Sequence, residues 1–123
     1  MVANVLLVAL GGAVGAVLRW SIAPSADATG LPYGTLTVNL LGSLLLGATA
    51  VLLAESVMSK EQALMLGTGL LGAFTTMSTF ALELVRLSDE GSLSLAVVYF
   101  LLTTLGCPAL AWLGWSATSN ALA

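Results

Sequence analysis

The chain has 123 residues, 59% of them hydrophobic and 7% charged, with a mean hydropathy of +1.06. Soluble domains carry about 25% charged residues, and nine charges, only three of them Lys or Arg, neither solvate a water-facing surface nor grip nucleic acid. With no His and a single cysteine, Cys107, the chain forms no intrachain disulfide and no Cys-based metal cluster, and an acid–base enzyme would rest on six carboxylates.

The charges cut the sequence into long apolar runs: Met1–Leu18, then Leu31–Ala54 (24 residues), Gln62–Leu82 (21) and Gly91–Ala123 (33). A helix crossing a ~30 Å hydrocarbon core needs about 20 apolar residues. The expected fold is therefore an all-α membrane protein, one transmembrane domain over residues 1–123 with four helices near 2–20, 31–54, 62–87 and 92–115. The last run is too long for one span, so Ser116–Ala123 is expected as a polar, frayed tail. Between spans, Arg19–Gly30 holds the turn residues Pro24, Asp27 and Gly30, and Glu55–Glu61 and Arg86–Gly91 hold most of the remaining charge. The N-terminus lacks the basic region of a signal peptide, so the first helix is expected in the mature protein.

Lys and Arg in loops set orientation. Arg19 falls in the first loop, Lys60 in the second and Arg86 in the third, two against one. A bias this weak permits insertion either way, as an antiparallel dimer requires; the alternative is one orientation set by weak cues. Trp20, Trp112 and Trp115 sit near span ends and read as interfacial anchors.

In chain order, the first span carries a GxxxG at Gly11 and Gly15, repeated one residue on by Gly12 and Ala16, and the second span has Ser43 and Gly47. Small residues at this spacing let helix backbones approach closely, within one chain or between chains. Four short helices enclose little volume, which argues against a pore inside one subunit and for an oligomer. In the second span Thr35, Asn39 and Ser43 recur every four residues and share a face. Tyr99, Thr103 and Cys107 form a second such column in the fourth span, and Thr75, Thr79 and Glu83 a third in the third span. Unpaired polar groups in hydrocarbon cost several kcal/mol each, so these faces must meet protein or water. Ser and Thr can bond back to their own helix. The Asn39 amide, with two donors and two acceptor sites, cannot.

The run from Gly67 to Phe80 sets three glycines before four hydroxyl residues in five positions, all mid-span. Such residues weaken a helix, so a break is expected near Gly72–Thr76. The freed carbonyls need a cation, water or a neighbouring helix; the alternative is a kink healed by the hydroxyls.

Three blocks carry a resemblance: Gly11-Gly-Ala-Val-Gly-Ala-Val-Leu-Arg19, Gly34-Thr-Leu-Thr-Val-Asn39-Leu-Leu-Gly42, and Gly72-Ala-Phe-Thr-Thr-Met-Ser-Thr-Phe80 with Glu83 behind it. Over essentially its whole length the chain resembles the Fluc (CrcB) family of small, dual-topology fluoride channels. The resemblance implies an antiparallel dimer with two fluoride pathways and a structural sodium ion (Na+) at its centre, held by main-chain carbonyls that fall on Gly72 and Thr75. It places Asn39, Met77, Ser78, Thr79, Phe80, Tyr99 and Thr103, with Cys107 at the end of the track, along the anion path. One residue departs from the family's Thr-Thr-Phe-Ser-Thr-Phe: Met77 stands for the first Phe. A thioether fills volume without the positive ring edge that a phenyl offers an anion.

The chemistry suits the ion. Fluoride is strongly hydrated, and its water must be replaced by hydroxyl, amide and phenol donors. No Lys or Arg lies between Leu31 and Ala54 or between Gln62 and Leu82 to trap it. Arg19 is expected in a structural or vestibular role; Glu83, one turn from Arg86, is expected either in an interfacial ion pair with it or, as an intramembrane carboxylate, in a functional role. The implied partners are fluoride, the lipid bilayer of the cell membrane and a second copy of the chain or a non-identical relative. The alternative function is a small multidrug-resistance-type proton-coupled exporter, also a four-helix antiparallel dimer. Its coupling carboxylate belongs in the first helix, where Met1–Leu18 has none. A non-transporting assembly subunit would leave Asn39 and the Thr75–Phe80 run without a purpose.

Overall fold

A computed structural model describes residues 1–23 and 30–123. Pro24 and Asp27, expected to make the first turn, lie outside the described residues. Among the described residues all regular structure is helical: α1 (Val2–Ile22), α2 (Tyr33–Ala54), α3 (Lys60–Ala63), a wider π-helical stretch (Leu64–Leu71), α4 (Gly72–Phe74), α5 (Met77–Asp89) and α6 (Leu93–Leu122). Four helical segments are long and apolar enough to cross a bilayer: Val2–Ile22, Tyr33–Ala54, Lys60–Asp89 and Leu93–Leu122. The chain is a multi-pass membrane protein.

Arg19 lies in the last turn of α1, not in the loop. The third span starts at Lys60 because Ser59 and Gln62 form a reciprocal cap: Gln62 N–H donates to Ser59 Oγ at 3.2 Å, and Ser59 N–H to Gln62 Oε1 at 2.9 Å. That span keeps Arg86 inside α5 and ends at Gly91, whose φ of +76° is the left-handed conformation glycine adopts freely. There Ser92 N–H closes on the Leu87 carbonyl at 2.8 Å, satisfying an orphan carbonyl of the helix end. The expectation of a frayed tail at Ser116–Ala123 is wrong. The fourth span stays helical to Leu122, with Ala123 N–H on the Ser119 carbonyl at 3.1 Å. Ala117, Ala121 and Leu122 favour helix, and at 1.5 Å per residue a 30-residue helix is about 45 Å long, enough to carry these residues past the hydrocarbon.

The helices associate as two close pairs, α1 on the π-helical stretch and α2 on α6. Both pairings are made by missing side chains. A Cβ on Gly11 would collide with the Met65 carbonyl and one on Gly15 with the Leu70 carbonyl, while Gly47 meets the Ala111 carbonyl in the same way. The first-span GxxxG and Gly47 thus serve packing within the chain, bringing backbone against backbone where lipid supplies no hydrophobic drive. A small core of Leu36, Phe80, Leu87, Ala96 and Tyr99 joins α2 and α6 to α5.

Candidate functional site

The site is built at a break. Thr75 and Thr76 are extended, at φ −83°, ψ 157° and φ −152°, ψ 114°, and the third span restarts at Met77. The sequence placed this break between Gly72 and Thr76. Gly72–Phe74 remains helical, and the distortion begins earlier, in the π-helical Leu64–Leu71. The hydroxyls do not heal the kink into a continuous helix.

A break leaves carbonyls behind it and N–H groups ahead of it without intrahelical partners. Asn39 takes up one peptide completely: Thr76 N–H donates to Asn39 Oδ1 at 2.7 Å, and Asn39 Nδ2 donates to the Thr76 carbonyl at 3.1 Å. Thr76 also caps α5, its Oγ1 accepting from Thr79 N–H at 3.2 Å and donating to Thr79 Oγ1 at 3.0 Å. Ser78 Oγ lies 3.3 Å from the same hydroxyl. On the other side, Arg19 Nε donates to the Ala73 carbonyl at 3.0 Å. Arg19 therefore does structural work at the break, satisfying a carbonyl that its own helix cannot.

Two carbonyls at the break lose their helical donors to side chains. An unbroken helix would give the Gly72 carbonyl the N–H of Thr76, and the Thr75 carbonyl the N–H of Thr79. Both N–H groups are diverted, to Asn39 Oδ1 and Thr76 Oγ1 respectively.

Glu83 corrects an expectation. It is buried, and both carboxylate oxygens are engaged from neighbouring spans: Thr35 Oγ1 donates to Oε1 at 2.8 Å and Tyr99 OH to Oε2 at 2.6 Å. The expected pair with Arg86 does not form among the described residues. Glu83 lies one turn after Thr79 on α5 and faces α2 and α6. The i, i+4 stripes headed by Thr35 and Tyr99 were the signal for both partners.

A cavity of about 380 Å³ lies between α2, the break and α6. Asn39, Met77, Phe80, Thr103 and Cys107 are among its walls. Phe80 is buried and meets Tyr99 edge-on, with ring centroids 5.0 Å apart and planes at 73°. Met77 projects outward, 72% exposed, and Ser78 and Gly72 are also exposed. Ser43 bonds back to the Asn39 carbonyl at 2.7 Å. Thr103 Oγ1 is buried with no hydrogen-bond partner, so the wall carries an open donor. Of the expected path residues, Asn39, Met77, Phe80, Thr103 and Cys107 line this cavity. Thr79 and Ser78 hold the Thr76 cap, and Tyr99 holds Glu83.

A family model described as CrcB-like protein, Camphor Resistance (CrcB), matches residues 6–115. The chain is 45% identical over 114 residues to a protein of Shewanella amazonensis, covering 90% of this chain and 92% of that one. It is 46% identical over 114 residues to a protein of Shewanella frigidimarina, with the same coverage. To a protein of Magnetococcus marinus it is 46% identical over 112 residues, covering 87% and 90%. All three relatives carry the name fluoride-specific ion channel FluC.

Proposed function

The chain belongs to the CrcB-like family, and from that premise we propose that it is a fluoride-selective channel that lets the ion leave passively and so relieves fluoride toxicity. The observation that carries this reading is the cavity at the break. It joins an open hydroxyl, Thr103 Oγ1, to the Asn39 amide and the Phe80 ring, and no Lys or Arg lines it. Neutral donors replace a small anion's water without trapping it, as conduction through successive weak sites requires. Relatives named as ion channels support a role in ion transport rather than catalysis.

A proton-coupled exporter is the poorer reading. Its coupling carboxylate is absent from α1, and the buried Glu83 has both oxygens engaged by hydroxyls.

The pathway is completed by a second copy of the chain. Met77, Ser78 and Gly72 are exposed at mid-span, where hydroxyl and open backbone facing lipid are costly. An antiparallel partner across this face covers them and closes the cavity. The family's sodium ion has a fitting donor set here: the Gly72 and Thr75 carbonyls lose their helical N–H donors to Asn39 Oδ1 and Thr76 Oγ1. Carbonyl oxygens are hard donors suited to such an ion, and the bound charge would offset their partial negative charge at the dimer centre.

Liposomes containing the purified chain, loaded with fluoride or chloride and opened by valinomycin, test the proposal. Fluoride efflux with chloride retained is expected. Equal efflux of both halides refutes selectivity.

A further inference from the structure

Two sulfur side chains stand on the wall of the cavity at the break, the Met77 thioether of α5 and the Cys107 thiol of α6. Cys107 is free and partly buried. A cysteine alone would say little, but a second feature of the same wall calls for an occupant. Thr103, one helical turn before Cys107 on the same face, is 7% exposed, and its Oγ1 is the one buried side-chain polar atom without a partner among the described residues. Pro108, next in sequence, has no N–H, so the Thr104 carbonyl loses its ordinary helical donor, and both residues also line the cavity. The wall therefore brings two sulfur side chains and the unpartnered Thr103 hydroxyl together in one space.

We propose that this cavity is a binding site for a soft monovalent metal ion of the silver(I) or copper(I) class. Cys107 Sγ is the anionic ligand, Met77 Sδ the neutral one, and the Thr103 hydroxyl the oxygen beside them. Thiolate and thioether are the donors that such ions select. Binding breaks the S–H bond and forms a sulfur–metal bond; the proton leaves to water, and neither sulfur nor metal changes oxidation state. Charge decides the metal class. A +1 ion on a thiolate leaves the site neutral, whereas zinc(II) or cadmium(II) would leave a net positive charge inside a membrane-spanning segment, where isolated charge is expensive. Hydrocarbon walls thus favour the monovalent ion. The functional consequence rests on the proposed anion pathway: an ion held between Met77 and Cys107 obstructs the cavity through which fluoride is read to pass.

Binding and flux are measured on the same preparations. The purified full chain in detergent, free of chloride, is dialysed against silver nitrate, and bound silver is read by plasma mass spectrometry. Saturable binding at one silver per chain is expected. Affinity should fall at least about tenfold in Cys107→Ser and in Cys107→Ala, the scale on which altered metal shells lose affinity, and by less in Met77→Leu. Cadmium should not compete. In liposomes, silver should reduce the parent's fluoride efflux to that of protein-free vesicles, while each cysteine variant keeps its own untreated rate. Equal silver affinity in both cysteine variants, or effective competition by cadmium, overturns the site. Stoichiometric silver with unchanged efflux overturns the obstruction. Absence of fluoride efflux before silver is added would refute the channel reading instead, and the dialysis arm would still decide the site.

Discussion

The two halves of the third span solve the same problem by opposite means. Before the break, Leu64–Leu71 has glycine at 67 and 69 and packs on α1 through close backbone approach at Gly11 and Gly15. After it, α5 holds its neighbours through side chains: Thr76 to Asn39 of α2, and Glu83 to Thr35 of α2 and Tyr99 of α6. Lipid gives no hydrophobic reward for helix association, so one half relies on dispersion at short range and the other on hydrogen bonds that would otherwise go unmade. Dispersion of this kind tolerates no added atom, whereas a hydrogen-bonded contact tolerates volume and fails on loss of a donor. The half built on donors is the half that lines the cavity.

The largest effect is expected where volume is forbidden. Gly11→Ala combined with Gly15→Ala drives two methyl groups into the Met65 and Leu70 carbonyls, and since one overpacked site costs about 1–3 kcal/mol, the double variant should fail to give a monodisperse peak on size-exclusion. Gly12→Ala is the control: a Cβ there meets nothing nearer than the Gly69 carbonyl at 3.9 Å and should leave the protein intact. If both behave alike, close backbone approach does not organise this half.

Next comes Asn39→Leu, which keeps the volume and removes the amide. It orphans the Thr76 N–H and carbonyl at once, and each buried polar group left without a partner costs about 1–3 kcal/mol. Hydrogen exchange at Thr76 should accelerate and fluoride efflux should largely disappear, because the break loses its brace. Unchanged protection of Thr76 would mean that the amide only fills space.

Much of this was legible in the residues themselves. Apolar run lengths marked four spans, and the i, i+4 stripes through Asn39, Thr79 and Tyr99 marked the faces that meet. Gly72–Thr76 took in the extended pair Thr75–Thr76 but not the altered winding that precedes it. What escaped was whatever depends on a partner far along the chain. Glu83 has a cation one turn away in Arg86, and sequence proximity made that the obvious partner; burial against α2 and α6 selected two hydroxyls instead. A structural role for Arg19 was among the expectations, but not its partner, a carbonyl 54 residues away. The π-helical winding of Leu64–Leu71 has no side-chain pattern of its own, since it answers to the α1 backbone lying against it.

A smaller effect is expected at the carboxylate, and it is shared. Thr35→Val and Tyr99→Phe each remove one of the two hydroxyls on Glu83, at about 1–3 kcal/mol apiece. Both act on one carboxylate, so they should couple: the double variant should be destabilised by more or less than the sum of the two singles, by at least about 0.5 kcal/mol. Thermal unfolding of the four proteins in detergent gives the cycle. Strict additivity would mean that Glu83 takes its donors independently and that the triad is not a unit.

The smallest change in stability, and the sharpest test of the donor-built half, is Met77→Phe. The side chain is 72% exposed in the single chain, so a ring there disturbs little of the fold described and little of the hydrogen-bonded frame at Thr76. Any overpacking, typically about 1–3 kcal/mol, would fall on whatever covers that face. A phenyl ring presents a positive edge to an anion, which the flexible thioether lacks. If Met77 borders the path, the substitution should preserve or raise fluoride efflux per folded protein. Phe80→Ala supplies the opposite sign. It deletes the ring that packs edge-on against Tyr99 and opens the cavity wall, at about 3–5 kcal/mol for a buried Phe, and it should lower efflux. Efflux normalised to the size-exclusion peak separates the two causes, because a scaffold defect shrinks the peak while a pathway defect lowers the rate beneath it. Should Phe80→Ala conduct like the parent, the ring is scaffold, and the Asn39 amide and Thr103 hydroxyl must carry the ion without it.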